Sequence, residues 1–197
     1  MTDHQTQDVF DQSALSLQSD EFLYEAVVGQ IVEIQSVGTG EVWCADPPAN
    51  LYADRLANSL RRAVESQSLG RVLQAASFAG DNTGPPQRPA AAYVSFQRWP
   101  VDRTPPEQAW PIAPDLAVEV VSPVDSFETI LARVAAHFSG GTKRIWVIAP
   151  TNGLVYCYDS VEQARILPRG GSLMDEELLP GFRLPLDELF ASENTPS

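Results

Sequence analysis

Residues 114–123 read PDLAVEVVSP, which places the carboxylate of Glu119 among Leu116, Val118, Val120 and Val121. Alternate side chains of an extended strand share a face. Asp115, Ala117, Glu119 and Val121 therefore point one way, and Leu116, Val118 and Val120 the other. An unpaired carboxylate in such a setting is costly to bury, so Glu119 needs a partner. Two readings are open from spacing alone: a carboxylate at a sheet edge or paired with an arginine, or a metal ligand. Four residues at about 3.3 Å each separate Asp115 from Glu119 by roughly 13 Å, too far for the two to hold one cation. A metal on Glu119 would take its second carboxylate from a neighbouring strand, about 4.8 Å away. The small Ala117 leaves room beside the two acids.

Around this strand the pattern predicts a mixed α/β domain with helices packed on a sheet. FLYEAVVGQIVEI (22–34) reads as a hairpin turning near Val28-Gly29. LYADRLANSLRRAVES (51–66) carries Leu51, Leu56, Leu60 and Val64 at helical spacing, with Arg55, Arg61 and Arg62 on its wetter side, and Gly70 follows as a stop. RVLQAASFAG (71–80) and AAAYVSF (90–96) read as strands joined by a tight loop. SFETILARVAAHF (126–138) predicts a helix with Phe127, Ile130, Leu131, Val134, Ala135 and Phe138 on one core-facing stripe, ended by Gly140-Gly141. RIWVIAP and LVYCYD flank Thr151-Asn152-Gly153 as a second hairpin, and LPGFRLPLDELF (179–190) predicts a closing strand with a short helical turn. The expected organisation is a loose tail over 1–20, one domain over 21–190 and a second tail over 191–197.

Composition narrows the functional classes. A 44% hydrophobic and 20% charged chain of 197 residues is that of a soluble globular protein with a sizeable core. No apolar run approaches the roughly 20 residues of a membrane span, so no membrane partner is expected. MTDHQTQDVFDQ has neither a basic start nor an apolar core, which argues against a secretion signal. Cys44 and Cys157 form no CxxC pattern and fit a reduced, cytoplasmic chain. Zinc is not expected with His4 and His137 as the two histidines. A net charge of −13 weighs against broad nonspecific binding to nucleic acid, while leaving room for a local basic groove or a metal-bridged phosphate.

YEAVVGQIVEI (24–34), RPAAAYVSFQRWP (88–100), APDLAVEVVSP (113–123), the 126–149 helix and strand, and LPGFRLPLDELF together resemble the Uma-type restriction-endonuclease-like family. That family belongs to the PD-(D/E)XK nuclease superfamily and is expanded in cyanobacteria and other bacteria. The resemblance implies a restriction-endonuclease-like mixed sheet flanked by helices, with β-hairpin additions. It also implies a Mg²⁺-dependent phosphodiesterase site acting on DNA, with no small-molecule cofactor. An Asp and a Glu on adjacent strands would hold the metal, and a nearby Lys would stabilise charge and orient the attacking water. Glu119 matches the family's metal-binding Glu, Glu25 an acid of the first hairpin close to the site, and Arg133 the lysine that the family carries on the following helix.

The chain departs from this pattern where chemistry is concentrated. The family's Pro-Asp-Val-Ala-Tyr/Phe-Val is Pro89-Ala90-Ala91-Ala92-Tyr93-Val94 here, so the metal-binding Asp is Ala90. Arg133 replaces Lys, Val28-Gly29 replaces an Asp-Gly turn, and His137 stands where tyrosine is common. Ala90 offers no oxygen, and Arg133 cannot exchange a proton near neutral pH. The expectation is a degenerate site with weak or lost activity. A binding or regulatory module for nucleic acid or a protein partner, or a homodimer, is the alternative. Of the acids that could refill the vacancy, Asp81 and Glu107 sit in loops, and Asp115 is distant along its own strand. Trp99 and Trp110 read as packing beneath a proline-rich loop, and Gly140-Gly141-Thr142-Lys143 as a helix stop, since it lacks the phosphate-loop spacing.

Overall fold

The structure is a computed structural model. It describes residues 23–27, 30–37, 41–43, 47–80 and 84–191, with side chains from Leu51 onward. The chain divides into two compact units, 1–45 and 46–197. In the first, β1 (Leu23–Val27), β2 (Gln30–Val37) and β3 (Glu41–Trp43) form an antiparallel sheet. Val27 stands opposite Gln30, so the expected hairpin is present, while its Val28-Gly29 turn lies outside the described residues.

The second unit is built on a six-stranded sheet in chain order: β4 (Gly70–Gln74), β5 (Ala91–Ser95), β6 (Leu116–Val120), β7 (Arg144–Ala149), β8 (Leu154–Ser160) and β9 (Gln163–Pro168). All neighbours are antiparallel except β6 and β7. A parallel pair needs a crossover, and α2 (Phe127–Ser139) provides it. Every residue of β6 is buried, as a strand covered on both faces must be.

The two faces have different cores. Leu116, Val118, Val120, Trp146 and Ile148 pack with Leu56, Leu60 and Val64 of α1 (Pro47–Ser66). The same core takes in β10 (Ser172–Asp175), β11 (Leu179–Pro185) and α3 (Leu186–Leu189), with Phe182 stacked on Trp146 at 5.9 Å. On the opposite face Ala117, Ile145 and Val147 pack with Ile130 and Val134 of α2. Phe78, Ala92, Val94, Trp99 and Trp110 form a third cluster, where the two tryptophans meet edge to face at 5.1 Å beneath the connector.

Two expectations need correction. The strand expected over 71–80 stops at Gln74, because Ala75 adopts a φ of +53° and turns the chain out of the sheet. Phe78 then joins Gln87 and Trp110 by single bridges. The core stripe of α2 does not include Phe127, which is 72% exposed, or Leu131, which is also exposed; Ile130, Val134 and His137 are its buried residues. Phe127 opens the helix, next to the Ser126 cap whose side chain accepts the Thr129 N–H. The hairpin expected at Thr151-Asn152-Gly153 is present, its turn a 3₁₀ helix over Pro150–Asn152 closed by Gly153 at φ +62°.

Candidate functional site

The alternation read from β6 holds: Ala117 packs toward α2, while Leu116, Val118 and Val120 face α1. Glu119, on the α2 side, is 7% exposed and has two partners on that helix. Its Oε1 lies 2.7 Å from Nε2 of His137, and its Oε2 lies 3.6 Å from Nη1 of Arg133. Residues 133 and 137 are four apart, one helical turn, so both project from one side of α2 toward the strand it leaves. The imidazole is buried beneath the carboxylate, whereas the guanidinium is 39% exposed at the mouth.

Arg133 is shared. Its Nη2 donates to Oδ1 of Asp125 at 2.6 Å, and Oδ2 of Asp125 accepts from the Ser122 N–H at 2.9 Å and the Ser122 hydroxyl at 3.0 Å. Asp125 thus ties the loop after β6 to the first turns of α2. One cation stands between two carboxylates, with an imidazole behind one of them.

Asp115 lies at a bend just before β6 and is fully buried. Its Oδ2 accepts the Ser95 N–H at 2.8 Å, and its Oδ1 lies 2.9 Å from Lys143 Nζ and 3.2 Å from Arg98 Nε. Burial pushes this carboxyl up, but the Ser95 N–H, the Lys143 ammonium and the Arg98 charge together hold it below its ordinary value. Asp115 is committed to these groups and does not turn toward Glu119.

The remaining candidates fall in different places. Ala90 sits at a bend just before β5, where its N–H donates to the Val118 carbonyl at 2.9 Å, beside the strand that carries Glu119. Its methyl group supplies no ligand. Glu107 is exposed, and Asp81 lies outside the described residues. Glu25 is on β1 of the first unit, and its side chain is likewise outside the described residues.

Mg²⁺ demands oxygen ligands in near-octahedral array and is usually held by one or two carboxylates with water and phosphate. The groups beside Glu119 are poorly suited to it: one carboxylate oxygen faces an imidazole, the other a guanidinium, and Asp125 is engaged by Arg133 and Ser122. Among the described residues, no three or more His, Cys, Asp or Glu side chains gather as a metal-holding group. Among the described residues, the donor set does not fit the metal that the resemblance implies.

Sequence reasoning placed Glu119 and Arg133 but missed His137 and Asp125 as their partners. The i, i+4 spacing of Arg133 and His137 was a usable signal. Asp125 gave none beyond its position one residue before the helix cap.

A family model described as "Uma2: Putative restriction endonuclease" matches residues 14–187. No curated protein gives a significant match. Among solved structures, the chain is similar to one described as a putative nuclease belonging to DUF820 from Anabaena variabilis ATCC 29413, with a TM-score of 0.65 and 16% identity over 86% of this chain and 90% of that one. At that identity the likeness establishes the fold.

Proposed function

Because the chain belongs to the Uma2 restriction-endonuclease-like family, we propose that it keeps the nuclease fold while its phosphodiesterase chemistry is weak or lost. One observation carries this reading: one oxygen of Glu119 faces His137 and the other faces Arg133, so the carboxylate is engaged by an imidazole and a guanidinium. Metal-assisted hydrolysis relies on a cation that polarises the phosphoryl group and generates hydroxide. The side chains here supply an ion pair instead. Arg133 can steady a phosphate by charge and hydrogen bonding, but it is fully protonated near neutral pH and cannot serve as a base. On this reading the scaffold serves as a cytoplasmic binding or regulatory module for DNA or a protein partner, a second copy of the chain included.

Plasmid nicking in Mg²⁺ and in Mn²⁺ tests the proposal. The natural protein is expected to leave supercoiled plasmid intact or nearly so, and the double variant Ala90→Asp, Arg133→Lys to gain cleavage. Robust cleavage by the natural protein, abolished in Glu119→Ala, would overturn it. Retention of DNA that weakens with added salt supports the nucleic-acid arm of the binding role; no retention even at low salt favours a protein partner.

A further inference from the structure

His137 contributes Nε2 to Glu119, and its ring is almost fully buried, yet Nδ1 has no hydrogen-bond partner among the described residues. Thr142, also buried, has a hydroxyl oxygen with no partner among the described residues. Both residues line one cavity of about 10 Å³, bounded by Phe78, Gly80, Gln87 and Pro114. Buried polar groups in folded proteins are nearly always satisfied by protein or by ordered water, and two orphans facing one small space are a rare combination.

We infer that this cavity binds a single structural water bridging His137 Nδ1 and Thr142 Oγ1, and that the water makes His137 a positioning residue for Glu119. The volume is on the scale of one water, which needs roughly 10–15 Å³. The chemistry matches as well. With Nε2 given to Glu119, Nδ1 presents a lone pair in the neutral ring or an N–H in the charged one. Water serves either case, and a threonine hydroxyl both donates and accepts. The water fixes the rotation of the imidazole about its long axis, and the imidazole fixes the Glu119 carboxylate above it. A Cβ on Gly80, at φ +61°, would stand 2.7 Å from the Gly140 carbonyl oxygen, so the backbone there approaches the end of α2 directly. This inference is independent of whether the protein cleaves DNA.

The test uses the full chain in a His4→Gln background, which leaves His137 as its one histidine. Water–protein cross-relaxation NMR is expected to show a long-lived water at the His137 ring. A high-resolution crystal structure is expected to show a solvent peak within about 3.2 Å of both Nδ1 and Oγ1. Thr142→Val should erase the cross peak and shift the ¹³C signal of the Glu119 carboxyl, and Thr142→Ser should restore both. A purely structural role for Thr142 would not give that pattern of loss and rescue. No long-lived water at the ring in the natural protein, or a cross peak and carboxyl signal indifferent to Thr142→Val, overturns the inference. If Thr142→Val does not fold, the natural protein and Thr142→Ser decide: the peak in both supports the water, and its absence from either sinks it.

Discussion

Asp115, just before β6, and Glu119, within it, are both buried, and their surroundings have little in common. Asp115 has a backbone N–H and two cations of its own. Those donors come from the end of β5, the loop after it and the residue just before β7, so the carboxylate clamps three segments together. Glu119 has one imidazole and an arginine that it shares with Asp125. Both its partners come from α2 and from one turn of it. A carboxylate inside an apolar strand is therefore not a single signal. The one with donors from several directions holds the fold, and the one served by a single helix turn sits where partners can change without moving a strand.

The largest effect should come from Asp115→Asn. It leaves two cations facing an amide, although Lys143 is half exposed and water screens part of the loss. We expect a cost of about 2–3 kcal/mol in urea unfolding at neutral pH. The folded-state pKa of Asp115 lies below its ordinary 3.8, so its contribution is complete above that value and fades as pH falls through the folded pKa. The gap between natural protein and variant should accordingly narrow below about pH 3.8; a gap that widens there would break the clamp assignment.

Glu119→Gln should cost less, about 1 kcal/mol by the same measurement, because the amide still accepts from the imidazole while only the shared arginine loses a charge partner. A cost exceeding that of Asp115→Asn would invert the comparison. The smallest effect belongs to Arg133→Lys alone. Its side chain is 39% exposed, so about 0.5 kcal/mol is expected, shrinking further between about 0.05 M and 0.5 M salt. Insensitivity to salt would place the arginine in a drier setting than its exposure indicates.

Much of the fold was legible because burial imposes period. The β6 alternation, the α1 stripe and the β7–β8 pair all carry an apolar face that only one arrangement can hide. The missed strand β9 shows the converse. Gln163–Pro168 is an edge strand with nearly every side chain exposed, Ile166 included, so no buried face stamps a pattern on QARILP. Phe127 misled for a related reason: helical spacing marks which residues share a side, but not how far the sheet extends beneath them. At the site, Glu119 stood out because a charge in a buried strand is anomalous. His137 did not, because a single histidine in an apolar helix looks like core until the strand beneath it is known.

The parallel step from β6 to β7 has one further implication. A helix that returns the chain across the sheet surveys the strand it has just left, so position 119 is overlooked by positions 133 and 137 whatever residues stand there. Location is thus written into the topology, and the ionic character of the spot into two letters of helical sequence. A lineage carrying this backbone can convert a cation seat into a sealed charge pair, or back, at a handful of codons and with every strand left in register.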